Sequence, residues 1–456
     1  MSNNIISNLS QQKKYKRGST LLFVLIFGSL AFTAIVFTIS GYAIMENRSS
    51  NKKQTQEMSL QIAEAGINYY RWHLAHNHND FTDGTGAVGP YVHDYFDKDG
   101  NKVGQFSLQI TAPLVGSTVT TVESTGTTLQ DSGVKRTIKA VMGAPALTDF
   151  LMVSNAGLQF SFTTVVHGQV HSNNDIRFDG TTDSWVKSHT KIKGGGGPKS
   201  FWQYPVPEVD FFSVSTDLDN IRQAADNSNT HYTSSGVEGY HLVFNNNTYK
   251  LYKVNTRSCY HGEGQLRKKW GQWYWDGDIY CYDIGTETLQ GIYNIPTSGA
   301  IFVEDNVWID GTVDGRVAIG VGKFPVQEPY YSVYINGNLT YQAKASDDVL
   351  GIMAQGSIIV PHNVPSTMEI DSAMLSQFNE IGRPYYDSDI KDSLTVFGSE
   401  ISYNGGGWKW VNGWGHIISG FTNTNLSYDA NLKFYPPPHF PVGDMYELIS
   451  WEEVLP

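Results

Sequence analysis

Cysteine is almost absent from this 456-residue chain, which has Cys259 and Cys281 and no others. There is no Cys-x-x-Cys, and no histidine stands at finger spacing to either, so the common structural zinc patterns are excluded. Basic charge is also scarce, with 32 Lys and Arg against 44 Asp and Glu. Without Lys13, Lys14, Lys16 and Arg17 the count is 28 against 44, a balance of −16, which argues against a broad basic face for DNA or anionic lipid. No nucleic-acid partner is expected. The short cluster Arg267-Lys268-Lys269-Trp270 reads as a solvated turn. Walker loops, Gly-x-Ser-x-Gly and His-Glu-x-x-His are missing. No helix start follows the four glycines Gly194 to Gly197, so a flexible turn outranks a phosphate cradle there.

What the chain does have is one long apolar run. Ser19 to Met45 is 27 residues without a charge. As a helix it would extend roughly 40 Å, more than the ~30 Å of a bilayer's hydrocarbon core. The basic residues before it place the N-terminus on the cytoplasmic side. A secretory signal would show a shorter core, of about 7 to 15 residues, with a cleavage site beyond it. Past this run, Met58, Ile62, Ala65, Tyr69 and Trp72 are spaced 4, 3, 4, 3, which lays one apolar stripe along a continuing helix.

Lys16-Arg17-Gly18-Ser19-Thr20-Leu21-Leu22 resembles the type IV prepilin signal, and Gln61-Ile62-Ala63-Glu64-Ala65-Gly66-Ile67 is similar to the N-terminal module of PilX-type minor pilins and the pseudopilins of secretion systems. The resemblance implies cleavage between Gly18 and Ser19 by a prepilin peptidase and methylation of the new N-terminus. It also implies a helix that sits in the cytoplasmic membrane before assembly and in a filament core afterwards. The implied partners are other pilins and the pilus assembly machinery. Most major pilins carry a glutamate five residues after the cut, where this chain has Phe23. That departure points to a minor or tip-located subunit.

Beyond the helix the reading is mainly β. Gln105 to Ile110 alternates, and Val134 to Val141 does so more loosely. Asp97-Lys98-Asp99-Gly100-Asn101 is a hairpin turn rather than a calcium loop, because the twelfth position from Asp97 is Leu108 and not glutamate. From Phe150 a beat of short strand and glycine turn recurs. It is seen at Ile176 to Gly180, Val307 to Val313, Val333 to Leu339 and Ile352 to Ile358. Such a beat suits coils of a parallel β-helix. A β-sandwich would show tight two-residue hairpins, which are scarce. Tyr428 to Leu432, Pro436 to Pro441 and Ser346 to Gly351 are similar to the solenoid region attached to many PilX-like N-termini.

The expected fold is therefore α+β, with a long N-terminal transmembrane helix, a small β headgroup, and a right-handed parallel β-helix carrying an inserted subdomain. The expected segments are a leader (1–18), the helix (19–76), the headgroup (77–146) and the solenoid (147–456), interrupted at about 185–295. Cys259 and Cys281, 22 positions apart in an exported region, are expected to form a disulfide.

Candidate chemistry is thin. Asp347-Asp348 and Asp387 with Asp389 are of the type a glycoside hydrolase needs, yet carboxylates beside Gly and Ser are common in solvated turns. His167 and His171 lie four apart on an expected strand and would face one side, and His73, His76 and His78 cluster after the helix. Neither set has a matched cysteine or carboxylate, so no metal, cofactor or catalytic residue is expected. Two aromatic groups suit binding better: Trp270, Trp273 and Trp275 inside the cysteine loop, and Trp408, Trp410 and Trp414 beside Gly405-Gly406-Gly407. Exposed rings can stack on a surface glycan or fill pockets in a host or cell-surface partner, or they can pack the insertion and cap the solenoid. The expectation is a non-enzymatic minor subunit of a type IV pilus or related filament, at the membrane and cell surface, with adhesion as an added role. The alternative is an anchored envelope solenoid that binds glycans without entering a filament.

Overall fold

The computed structural model describes residues 18–114, 116–211, 214–269, 272–443 and 445–454. It is one long apolar N-terminal helix followed by mostly β-structure. The leader up to Arg17 lies outside the described residues.

Helix α1 runs unbroken from Gly18 to His76. Its first half is apolar all round, and no other described part of the chain covers it. Leu21, Phe27, Phe32, Phe37 and Met45 are all exposed. The second half packs on an antiparallel sheet of β1 (Tyr91–Phe96), β2 (Lys102–Thr111), β3 (Val119–Thr128) and β4 (Lys135–Gly143). Ile62, Ala63, Ile67, Tyr70 and Leu74 meet Phe106, Leu108, Val122, Ile138 and Met142 in this core.

The buried stripe is rotated from the expected one, for Trp72 is exposed and Ser59, Ala63 and Gly66 face the sheet. Backbone proximity explains the rotation. A Cβ on Gly126 would meet Ser59 O at 2.0 Å, one on Gly104 would meet Ile62 Cδ1 at 2.6 Å, and one on Gly66 would meet Ser124 Oγ at 2.2 Å. Small residues on both surfaces let helix and sheet touch, and they set the angle that large side chains alone would not.

The fifth strand of this sheet comes from the far end of the chain. Glu447–Val454 pairs antiparallel with β4, an Arg136–Glu453 ion pair crosses it, and Tyr446 donates to His78 O at 3.1 Å. The end of the segment expected to be solenoid thus pairs with the headgroup sheet, and the region of stacked strands, termed the solenoid below, is an insertion between that sheet's fourth and fifth strands. Arg316 holds the junction, donating through Nη2 to Gly116 O (2.6 Å) and Pro436 O (2.5 Å).

The inserted region stacks short strands in parallel on three faces. On the first face the parallel order is Trp202–Gln203, Val186–Ser188, Val170–Ser172, Met152–Ser154, then Ile390–Ser402, Thr367–Ser376, Val349–Ala354, Arg316–Val321, Ala300–Val303 and His231–Tyr232. The chain therefore enters mid-stack and winds to one end. It crosses back outside the coils and winds inward until Glu400 lies beside Met152. Val209 N donates to Asn173 Oδ1 (2.8 Å) along that crossing, and helix α2 (Val214–Ser228) continues it with Leu218, Ile221 and Ala225 packed on Phe302 and Ala318.

The interior is a ladder of aliphatic residues. Val307, Val333, Ile358 and Ile381 stack in register, 26, 25 and 23 residues apart. The third repeat is corrected by this pairing, because Ile352 belongs to another face and Ile358 is the true successor of Val333.

The expected interruption at 185–295 is also placed differently. Parallel pairing continues through Val186–Ser188 and Trp202–Gln203, and Gly239–Asn246 is itself a coil strand paired with Val307–Val313. What departs from the stack is α2 with its lead-in and one long hairpin, Thr248–Lys269 with Gln272–Asn294. This hairpin covers the outer side of a face, where Trp308, Tyr334 and Ile359 form a second apolar layer with Val254, Tyr282 and Ile284. Trp308 Nε1 donates to Tyr282 O at 2.6 Å. Cys259 and Cys281 are bonded across the two arms.

Candidate functional site

The sequence-derived candidates fall into three places. The expected cleavage position after Gly18 lies at the first turn of α1. Phe23 is exposed on that helix and stacks on Phe27 at 6.4 Å. Trp273 is exposed at the hairpin tip, with Lys268 Nζ over its ring at 5.5 Å. Trp275 lies flat on His261 at 4.2 Å, and Trp270 lies outside the described residues.

The second tryptophan group does not act as one surface. Trp414 is 90% exposed. Trp410 is half-exposed and donates to Arg383 O at 3.0 Å. Trp408 is buried, so its place among exposed ligand-contacting rings is corrected: it faces the solenoid core and donates to Glu400 Oε1 at 3.2 Å. Strand alternation would put Trp408 and Trp410 on one side; the split arises because Trp408 precedes the short strand Lys409–Val411, at the end of the glycine run that approaches Ile381.

The carboxylate and histidine candidates are engaged separately. Asp348 accepts from Gly315 N (2.6 Å) and Ala343 N (3.0 Å), which closes a turn. Asp389 pairs with Arg383, Lys391 and His362. His167 meets Asp183 at 2.7 Å in the open, whereas His171 is buried and burial pushes its pKa down. The expected common side for these two histidines is corrected, because Gly168, at φ +152°, turns a corner between them and puts them on different faces. Among the described residues no group of three or more His, Cys, Asp or Glu is placed to hold a metal.

Sequence reasoning missed a cavity of about 710 Å³ where the two windings of the solenoid meet. Two faces are continuous across this seam, through Glu400 beside Met152 and Asn425 beside Val165. The third face is broken. Leu158–Phe160, Ile176–Phe178 and Ile192–Lys193 form a separate sheet that does not pair with Ile381–Gly382. Gly405 O and Gly407 O instead accept from Ile381 N (3.0 Å) and Arg383 N (2.8 Å), after which the chain swings outward. A Cβ on Gly406, at φ +137°, would meet Ile381 O at 1.8 Å, so glycine is required for this approach.

Apolar walls come from Leu158, Phe160, Trp408 and Leu426, with Phe162 exposed among the lining residues. Glu400 and Lys409 are the telling polar groups. Glu400 is buried with no cation paired to it among the described residues, and burial pushes its carboxyl up to about 8 despite the Trp408 hydrogen bond. Lys409 Nζ donates to Thr163 Oγ1 (2.7 Å) and more weakly to Thr422 O (3.5 Å), and burial pushes its pKa down to about 8. The signal in the sequence was the glycine run beside Trp408-Lys409, but nothing there placed Glu400 or Phe160 next to it.

No family model and no curated protein matches the chain. Among solved structures it is similar to the competence-associated pilin ComZ from Thermus thermophilus, at 13% identity and a TM-score of 0.33 over 88% of this chain and 98% of that one. It is also similar to an ice-binding protein from the Antarctic ascomycete Antarctomyces psychrotrophicus, at 7% identity and a TM-score of 0.24 over 61% of this chain and 94% of that one.

Proposed function

We propose that this chain is a minor subunit of a type IV pilus or related filament, held in the cytoplasmic membrane by α1 before assembly and carrying the solenoid outward afterwards. The observation that carries this reading is the division of α1. One continuous helix is bare and apolar in its first half and locked to a five-stranded sheet in its second. An apolar rod of this length needs a nonaqueous surrounding, either lipid or the apolar helices of neighbouring subunits. Because the helix has no break, a subunit drawn from the membrane would carry its headgroup and solenoid along as one piece. The basic tail sets the N-terminus inside, a prepilin peptidase is the processing partner, and other pilins are the assembly partners. Phe23 in place of a carboxylate supports a sparse or tip-located subunit. We read the exported part as non-enzymatic, since the candidate carboxylates serve turns and ion pairs, and we assign it adhesion as an added role.

Processing is tested by N-terminal mass analysis of protein from cell envelopes. The proposal expects a chain that begins at Ser19 and carries a methyl group. Full-length chains only, in cells with an active prepilin peptidase, would leave an anchored solenoid that does not enter filaments.

A further inference from the structure

We propose that the cavity in the broken face binds an acidic sugar unit of a surface polysaccharide. Lys409 would take the carboxylate, and the rings of Phe160 and Phe162 would flank the sugar. This inference deepens the adhesion reading and rests on the solenoid being presented outward.

Four features lead to it. First, the cavity's volume is in the range of small-ligand sites, roughly 300–1,000 Å³, and it lies at an interruption of the fold rather than inside a complete coil. Second, its charge is unbalanced. Arg177 Nε is satisfied by Asp179 Oδ2 at 2.7 Å, and Asp179 also accepts from Gly195 N at 2.8 Å. Lys409 has only neutral partners, and among the described residues no carboxylate forms an ion pair with it. A half-buried ammonium facing a cavity without a counter-ion suits an anionic ligand group.

Third, Glu400 does not supply that counter-ion. Among the described residues its carboxyl's hydrogen bond is from Trp408, and in so dry a setting the carboxyl keeps its proton, leaving a neutral group that can donate to or accept from a hydroxyl. Fourth, the remaining walls combine aromatic rings with short polar groups, Gln159, Ser402 and Asn412. Rings against the apolar face of a sugar, with amides and hydroxyls at its edges, are complementary to a pyranose. A carboxylate on that ring completes the match to Lys409.

The test measures binding to the full-length, detergent-solubilised protein by calorimetry at pH 7, with digalacturonate, a neutral digalactose and acetate as probes. A charge-assisted contact of about 1.5–3 kcal/mol corresponds to tenfold or more in affinity. Digalacturonate should therefore bind saturably, at least tenfold tighter than the neutral disaccharide. Lys409→Met should abolish that preference. Phe162→Ala, which trims an exposed side chain and leaves the core intact, should weaken both disaccharides severalfold.

Equal affinity for the acidic and neutral sugars would overturn the assignment, as would no binding, a preference that survives Lys409→Met, or acetate binding as tightly as digalacturonate. Presence of the chain in sheared filaments is scored in parallel. A chain that enters filaments but binds no probe overturns the cavity assignment alone, whereas one that binds digalacturonate but stays in membranes overturns the filament reading alone.

Discussion

The headgroup and the solenoid bury themselves by opposite means. In the headgroup, the Ser59 and Ala63 backbone on α1 meets Gly126 on the sheet, Ile62 lies against Gly104, and Gly66 lies against Ser124 and Phe106, so helix and sheet pack nearly backbone on backbone. In the solenoid, Val, Ile and Leu side chains stack coil on coil around a filled interior. The first surface is sensitive to atoms added, and the second to atoms removed or charged. The solenoid can be inserted between β4 and the C-terminal strand because the headgroup's fit depends on α1 and the sheet; the insertion meets it through Arg316, through Phe434, whose O accepts from Thr118 N at 3.0 Å, and through Lys433, which pairs with Glu447 at 3.1 Å.

The largest effect should come from charging the solenoid interior. Ile335 is fully buried in the aliphatic ladder, and Ile335→Asp should cost about 4 kcal/mol or more, read as a lost or strongly lowered melting transition. Strand alternation alone would make the neighbouring Tyr334→Asp mild, but Tyr334 is 4% exposed beneath the hairpin, so it too should be severe. A mild Tyr334→Asp would mean that the hairpin does not cover this face. Next is Gly126→Val, which places atoms against Ser59 O and should cost about 3 kcal/mol in the headgroup. Protease protection of α1 from Ser59 to Leu74 should fall while the solenoid stays protected. Equal loss in both regions would merge what the comparison separates.

A gain is expected at the seam. Glu400 is raised from 4.5 to about 8, so folding stability falls as pH rises from about 4.5 to about 8. At pH 7 the linkage amounts to at most about 3 kcal/mol. Glu400→Gln should therefore raise stability by about 2 kcal/mol at pH 7 and flatten the pH dependence of denaturant midpoints across that window. Stability unchanged by the substitution would show that the seam is wetter than the geometry implies.

The smallest effect concerns the hairpin's attachment. His241 lies between Glu287 Oε2 (2.8 Å) and Asp310 Oδ2 (3.1 Å); burial lowers its pKa, but the two carboxylates outweigh this and raise it to about 9. The stabilisation is complete below about 6.5 and is lost as pH rises through about 9. His241→Gln should cost about 1–2 kcal/mol at pH 7 and remove the loss of hairpin protection in hydrogen exchange between pH 7 and 10.

Much of the architecture was legible because it is written in local periodicity. The apolar run of α1, the alternating strands of the headgroup and the register of Val307 with Val333 all repeat within a few tens of residues. What escaped depends on partners distant in sequence. Trp72 looked buried until Gly66, Gly104 and Gly126 set the helix one step round. Glu447–Val454 carries no local mark of belonging to a sheet that begins at Tyr91. The cavity draws Phe160 and Trp408 from windings 248 positions apart, and only the closing of the stack at Glu400 beside Met152 brings them together.

If α1 carries the chain into a filament, as proposed, its amount in filaments sheared from cells relative to the membranes left behind reads this directly. A chain beginning at Ser19 should be present in sheared filaments at a small fraction of the major pilin. Finding it only in membranes, or as the most abundant filament protein, would rule out a minor filament subunit.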